Sequence, residues 1–293
     1  MAPRQPGAPQ SMVVLVCDNG SKRAASVLSL RAAATALAAL LGGEAVLPVS
    51  LKYSDTIAPA SLGGVRARTL QAELEALAAG GERRAVIAPL FLGPSGAFRD
   101  GVAACADELQ RAGTPMELHV GECLVPAALP SDDRVARALA ALVLRQSRAL
   151  RLAQPLKVVV VDHGTPSASV NAVRARLAAE VDEMLGDRAA AVGAASMERR
   201  DGEAYDFNEP LLETLLATPP FDSGDVVLAM AFLSPGRHAG EGGDIAQIVE
   251  AATAARPDLR VHITPLLATQ SLVAAVLRDR VEAAAAAPPL QVE

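Results

Sequence analysis

The stretch Lys157–Val181, KVVVVDHGTPSASVNAVRARLAAEV, decides the fold that we predict for this chain. Its four consecutive valines, Val158–Val161, are typical of a strand buried on both faces, as in a parallel sheet. A sharp break follows, and the apolar residues after it recur at helical spacing. His163 therefore sits at the carboxyl end of a buried strand, where open α/β sheets bind ligands. Gly164 lets a ligand or the backbone approach closely; the alternative is that His163 only caps the turn.

Strands and helices alternate along the rest of the chain, which favours mainly parallel sheets with helices on both faces. We predict strands at 12–17, 45–51, 84–92, 116–120, 158–161, 189–197, 225–233 and 259–263. We predict one long helix that follows residue 21 and ends at about residue 41. Further helices are predicted at 62–79, 100–112, 135–152, 170–185, 209–216, 245–255 and 271–285.

The two halves of the chain repeat the same pattern. Three pairs of equivalent positions share an offset of 141 to 144 residues: Asn19 and His163, Phe91 and Phe232, His119 and His262. The chain is therefore predicted to be two tandem four-stranded, mainly parallel α/β/α modules, at 12–153 and 154–286. We expect residues 1–11 to be a disordered extension and 287–293 to be a tail.

Composition excludes several classes of protein. The formal net charge of −6 argues against nucleic acid as a partner. Three scattered cysteines without a CxxC motif support neither a disulfide framework nor a zinc knuckle. The first eleven residues lack the apolar core of a signal peptide, and no apolar run is long enough to span a membrane. We therefore expect a cytoplasmic protein.

The halves differ chemically at the predicted carboxyl ends of their strands. The second half has His163, Glu198 and His238, where the first half has Asn19, Lys52 and Ala97. Because the strand ends of a parallel sheet meet at one rim, we expect the first three side chains to lie together. Imidazole and carboxylate groups there would bind Fe²⁺, Co²⁺, Ni²⁺ or Zn²⁺, or accept protons.

A simpler interpretation of these residues remains open. His238 would then be a solvated loop residue, and Glu198 would belong to a charged surface at 198–201. His119 and His262 lie inside predicted strands and correspond to each other, which favours structural roles for both.

At these residues the second half resembles the sirohydrochlorin chelatase family, the CbiX/SirB type of class II chelatases. The resemblance rests on VVVVDHGTPSASVNAVRARLAAEV at 158–181, SMERRDGEAYDFNEPLLETL at 196–215 and AFLSPGRHAGEGGDI at 231–245. It covers 156–280 well and 12–125 faintly. The segment Arg200–Phe207 is longer than the family's usual spacing, and the first half lacks all three candidate ligands.

The resemblance implies a class II chelatase-like fold and a lyase that inserts Co²⁺, Fe²⁺ or Ni²⁺ into sirohydrochlorin, with Co²⁺ favoured, for cobalamin or sirohaem. It implies that His163 and His238 bind the metal and take up pyrrole protons, with Glu198 assisting. It implies no organic cofactor, because the divalent metal is a substrate.

Eight carboxylates on sirohydrochlorin call for basic groups near the rim. We predict tetrapyrrole contacts from Arg237, Arg199, Gly164 and Ser234. The first module would be a structural partner that supplies the opposite wall of a cleft. The protein would act as a monomer with two pseudo-symmetric modules or as a homodimer.

Two classes of function other than a chelatase are compatible with the sequence. One is a non-catalytic protein of the same fold that binds or delivers metal or tetrapyrrole. The degenerate first half favours this class. The other is a metal-assisted hydrolase, which would require more carboxylates or a Ser or Cys nucleophile near His163. The sequence has no GxSxG nucleophile elbow.

Overall fold

The computed structural model describes residues 12–129 and 131–291. The predicted extension at 1–11 and the last two residues of the predicted tail lie outside them. The described residues form two four-stranded sheets. The strands of the first sheet are β1 Val13–Asp18, β2 Val46–Ser50, β3 Arg84–Pro89 and β4 Glu117–Val120. The strands of the second are β5 Leu156–Asp162, β6 Ala189–Ser196, β7 Gly224–Met230 and β8 Leu259–Ile263.

Both sheets have the same topology. The strand order is β2-β1-β3-β4 in the first sheet and β6-β5-β7-β8 in the second, and each described pair of strands is parallel. The predicted α/β fold with two four-stranded parallel sheets is thus confirmed. Residues Val158–Val161 are fully buried because β5 has a strand on either side and apolar clusters on both faces.

An α-helix follows each strand along the chain. They are α1 Ala24–Leu40, α2 Leu70–Ala79, α3 Gly96–Arg111, α4 Arg134–Leu150, α5 Ala168–Leu185, α6 Leu212–Leu215, α7 Asp244–Ala255 and α8 Ser271–Ala286. The prediction placed the start of α2 at Leu62, but the Thr69 hydroxyl accepts the Ala72 N–H and begins the helix there. None of these helices is both long and apolar enough to cross a membrane.

The last helix of each half packs on the other half. Helix α4 contacts β7 and α5, whereas α8 contacts β3, β4 and α1. One apolar cluster consequently joins both halves, from Leu30 and Leu139 to Val160 and Leu277. The boundary predicted at residue 154 divides the sequence, but the packing crosses it, so the two sheets are held in a fixed relation.

Polar contacts also hold α8 against the first half. His119 on β4 is buried, and its Nδ1–H donates to the carbonyl of Ala287, 2.9 Å away at the end of α8. Arg280 of α8 is also buried and lies 2.6 Å from Asp132. Hydrogen bonds from Arg134 and then from Arg280 hold the pKa of Asp132 well below its usual value. The charged contacts therefore tie α8 to the segment that leads into α4.

Candidate active site

The loops that follow β5, β6 and β7 bring three predicted site residues together. The ring centroids of His163 and His238 lie 4.3 Å apart, with the rings at 73° to each other. Nε2 of His163 lies 3.3 Å from Oε1 of Glu198. The side chains of His163 and Glu198 are 44% and 57% exposed, so they are accessible to a ligand.

Both imidazole rings are held through Nδ1. Nδ1 of His163 lies 3.0 Å from the carbonyl oxygen of Gly164, and Nδ1 of His238 lies 2.6 Å from Oδ2 of Asp244. A carbonyl only accepts hydrogen bonds, as does a carboxylate, so each Nδ1 carries the donating hydrogen. In the neutral ring, Nε2 then has a free lone pair. Metal-binding histidines are commonly oriented in this way.

The contact between His163 and Glu198 is favourable when a positive charge lies on Nε2 of His163 or between the two groups. With Nδ1–H assigned, a neutral His163 directs a lone pair at a carboxylate oxygen, and two acceptors repel each other. A proton on Nε2 or a cation between the two groups removes that repulsion. Within the described residues, however, no three His, Cys, Asp or Glu side chains are arranged to hold a metal ion. The arrangement is thus an incomplete ligand set.

Close packing of two backbone segments fixes Glu198 beside His163. Gly164 has φ +90°, and a Cβ at this position would lie 1.9 Å from the carbonyl oxygen of Glu198. The Glu198 N–H also donates to the His163 carbonyl at 3.1 Å. Gly20 has the same relation to Lys52, at 1.7 Å in the first half. The equivalence of Glu198 and Lys52 suggested by the sequence thus has a counterpart in the backbone.

A buried polar network supports the loop that carries His163. Arg174 of α5 is buried and donates to Asp162, at 3.1 Å, and to Ser196. Burial raises the pKa of Asp162. Oδ1 of Asp162 accepts the N–H of Gly164 at 3.1 Å. Asn208, also buried, accepts the N–H of Thr165 at 3.0 Å and donates to its carbonyl at 2.9 Å.

Asp244, Arg174 and Asn208 were not among the predicted site residues. A signal existed for Arg174, which interrupts the apolar face formed by Val170 and Leu177 with a charge. Asp244 follows His238 by six residues at the start of α7, inside a segment that carried the family resemblance. Nothing in the local pattern distinguishes Asn208, because its partners come from distant parts of the sequence.

The four predicted tetrapyrrole contacts lie in different surroundings. Arg237 and Ser234 line the cleft between the halves, as does Gly164. The Arg237 side chain is 78% exposed, with Nε 3.7 Å from Asp244. Oγ of Ser234 lies 3.2 Å from Oγ of Ser29 in the first half.

Arg199 is committed to its own loop. Its guanidinium group lies 2.7 Å from Glu209 and 3.1 Å from Asp206, and it donates to the Gly202 carbonyl at 3.2 Å. These contacts close the loop between Glu198 and Glu209. They leave Arg199 less available to a ligand than Arg237.

The cleft beside the histidine pair has a volume of about 530 Å³ and takes its walls from both halves. This volume is typical of a small-molecule site. His163 and His238 lie on one wall, and Asn19–Ser21 belong to the other half. The apolar part of the lining includes Phe91, Leu92, Phe232 and Leu233. A flat, largely apolar ligand would fit between such walls.

Comparisons with known proteins agree with this architecture. Residues 157–284 match the family model described as CbiX. SirB from Bacillus subtilis with Fe³⁺ aligns with a TM-score of 0.65 at 14% identity, over 94% of this chain and 96% of that one. The sirohydrochlorin chelatase SirB from Bacillus subtilis subspecies spizizenii, in complex with cobalt, gives 0.62 at 14% identity with the same coverage.

A third structure is that of CbiX, described as the terminal enzyme for biosynthesis of siroheme in denitrifying bacteria. It gives a TM-score of 0.57 at 15% identity, over 92% of this chain and 98% of that one. No curated protein matches the chain. The match to the CbiX family model thus lies in the second half of the chain, and the chain as a whole has the fold of the SirB and CbiX chelatases.

Proposed function

We propose that this protein inserts a divalent metal ion into sirohydrochlorin, as a step towards cobalamin or sirohaem. The observation that carries the proposal is the pair of imidazoles 4.3 Å apart, each held through Nδ1, beside the carboxylate of Glu198. Co²⁺ is favoured because of the family resemblance. The donor set does not choose among Co²⁺, Fe²⁺ and Ni²⁺, since imidazole and carboxylate groups bind all three.

The reaction exchanges one divalent ion for two pyrrole N–H protons. His163 and His238 hold the incoming ion through Nε2, and an incomplete ligand set lets the ion pass on to the four macrocycle nitrogens. Each Nε2 that the metal leaves is free to take up one of the two protons. Glu198, more than half exposed, passes protons to water. No electrons are transferred, so no redox cofactor is required.

The cleft supplies the tetrapyrrole site. Phe232 and Leu233 of the second half, with Phe91 and Leu92 of the first, give apolar surfaces for the faces of the macrocycle. Arg237 at the rim has a largely exposed side chain that would pair with a peripheral carboxylate, and Gly164 and Ser234 contribute to the lining. One chain provides both walls, so we propose that the protein is active as a monomer. We also propose that it acts in the cytoplasm.

The test is anaerobic insertion of Co²⁺, Fe²⁺ and Ni²⁺ into sirohydrochlorin, followed by the absorbance change of the macrocycle. His163→Ala and His238→Ala should each lower the rate by about 100-fold or more, because the two groups act together. His262→Ala is the matched control: its Nε2 lies 2.8 Å from Asp225, and it is not among the residues that line the cleft. Its rate should equal that of the wild type.

Two results would contradict the proposal. Wild-type insertion no faster than the protein-free background would exclude a chelatase and leave a protein that binds or delivers metal or tetrapyrrole. Full activity in both histidine variants would place the reaction elsewhere in the molecule.

A further inference from the structure

We propose that Lys22, Lys52 and Tyr53, here called the basic rim, form a binding site for the peripheral carboxylates of an anionic macrocycle. This inference rests on the proposed function and deepens it. It gives the first half, which lacks the candidate metal ligands, a part in substrate recognition.

The position of the basic rim is the first observation. Lys22 and Lys52 follow β1 and β2, in the loops equivalent to those that carry His163 and Glu198. The cleft lining in the first half includes Asn19–Ser21, which lead directly into Lys22. The Lys52 carbonyl packs against Gly20 so closely that a Cβ on Gly20 would lie 1.7 Å away. Both lysines therefore adjoin the wall opposite the histidine pair.

Charge is the second observation. The chain has only three lysines, and two of them lie here. Nζ of Lys22 lies 5.6 Å and Nζ of Lys52 lies 5.2 Å from the centroid of the same Tyr53 ring. In the described part of the chain, neither forms an ion pair with a carboxylate. Two ammonium groups near one ring, without a carboxylate partner, favour the binding of an anion beside them.

The backbone of Tyr53 is the third observation. Tyr53 has φ +70° and ψ −32°, a conformation that non-glycine residues rarely adopt. The residue is nevertheless 45% exposed, so packing in the core does not explain the conformation. Unfavourable backbone conformations that persist are concentrated at binding sites. Here the conformation places an aromatic ring within 5.6 Å of two ammonium groups.

Together these features select the class of ligand. A flat macrocycle between the apolar walls would bring its centre to the histidine pair and its edge to the basic rim. Carboxylates on that edge would meet two ammonium groups that have no other anionic partner among the described residues. Lys52 stands where the second half has Glu198. Lys52 would therefore attract an acidic edge of the ligand, whereas Glu198 would repel it. The expected effect is on substrate binding, not on insertion itself.

The experiment measures binding of metal-free sirohydrochlorin, by fluorescence or absorbance titration, at low and high salt. We expect K22Q/K52Q to raise Kd about tenfold at low salt and much less at high salt, as for two exposed charge pairs. The kcat for insertion should stay within about twofold of wild type, while KM rises. R145Q/R148Q is the matched control, because it also removes two exposed positive charges. These charges lie near the end of α4, which leads to the amino end of β5, whereas the cleft lies at the carboxyl ends of the strands.

A second variant, Tyr53→Gly, tests the role of the aromatic ring in binding without destabilising the protein. Glycine adopts a positive φ without strain, so the melting temperature should not fall, while Kd for sirohydrochlorin should rise. A K22Q/K52Q protein that binds sirohydrochlorin like the wild type at both salt concentrations would overturn the inference even if insertion is observed. Salt-sensitive binding that is lost in K22Q/K52Q, without insertion, would support the basic rim and contradict only the chelatase. A wild type that binds no sirohydrochlorin would overturn both.

Discussion

Substituting Gly164 by Ala tests whether backbone packing fixes the candidate site. The new Cβ would lie 1.9 Å from the carbonyl oxygen of Glu198, about 1.1 Å closer than the 3.0 Å below which real Cβ contacts are essentially never seen. Because that oxygen belongs to the backbone, a rotamer change of a side chain cannot remove the overlap. The loops after β5 and β6 must separate, and Glu198 moves away from His163.

The size of the effect follows from that displacement. Misplacing a reacting group by about 1 Å can lower a rate about 100-fold, so we expect a loss of that order in metal insertion. Alanine at φ +90° adds a conformational cost of about 1 kcal/mol. The G164A protein should therefore show a lower rate of insertion in the anaerobic absorbance assay and a lower melting temperature.

Gly113→Ala provides the control for conformation alone. Gly113 follows α3 in the first half and has φ +70°, but a Cβ there would meet nothing within 4 Å. The G113A protein should lose stability while keeping the wild-type rate. Near-normal insertion by G164A would refute the reasoning, since the close packing of the two loops would then have no part in positioning Glu198.

Two further substitutions test contacts around the site and between the halves. Asp244→Asn removes the charge that holds Nδ1 of His238, and insertion should slow about 10- to 100-fold with sirohydrochlorin binding unchanged. Asp132→Asn leaves Arg280 without its carboxylate, and urea unfolding at pH 7 should show a loss of about 3 kcal/mol. Since the pKa of Asp132 is lowered in the fold, its contribution is present above the unfolded value of about 3.9 and declines as pH falls. D132N should therefore lose less stability between pH 5 and 3 than the wild type.

Each of these two predictions has a contrary result. Unchanged insertion by D244N would mean that the 2.6 Å contact with His238 does not control the ring. A D132N protein with the wild-type acid dependence would mean that other carboxylates cause the acid sensitivity.

The parts of the fold that sequence predicts are those that local pattern determines. Four valines in a row at Val158–Val161 indicate a central strand because only a strand covered on both faces buries every residue. The repeat between the halves then extends that inference to the first sheet. Helix limits were less accurate: α2 begins eight residues later than predicted, where Thr69 caps it, and α6 is a single turn at Leu212–Leu215.

Long-range pairing explains what the sequence could not reveal. An amphipathic helix shows that one of its faces is buried, but not against which sheet. The packing of α4 on β7 and of α8 on β3 therefore needed the structure. The same holds for Asn208, whose bonds to Thr165 span 43 residues, and for the Asp244 carboxylate that orients His238. His163 was located from the strand that precedes it, and comparing the halves added Glu198 and His238 because the first half has other residues at those positions.

The exchange of helices bears on why the halves could diverge. Two sheets joined through α4 and α8 keep their rims on one cleft whatever side chains those rims carry, because the apolar core maintains the relation. Histidine and glutamate on both rims would direct two acidic groups at a substrate with many carboxylates. With Lys52 in place of a second glutamate, one rim can bind a cation while the other binds the acidic edge of the ligand. On this account, Lys52 in the position of a second glutamate gives the first half a part in binding the proposed substrate.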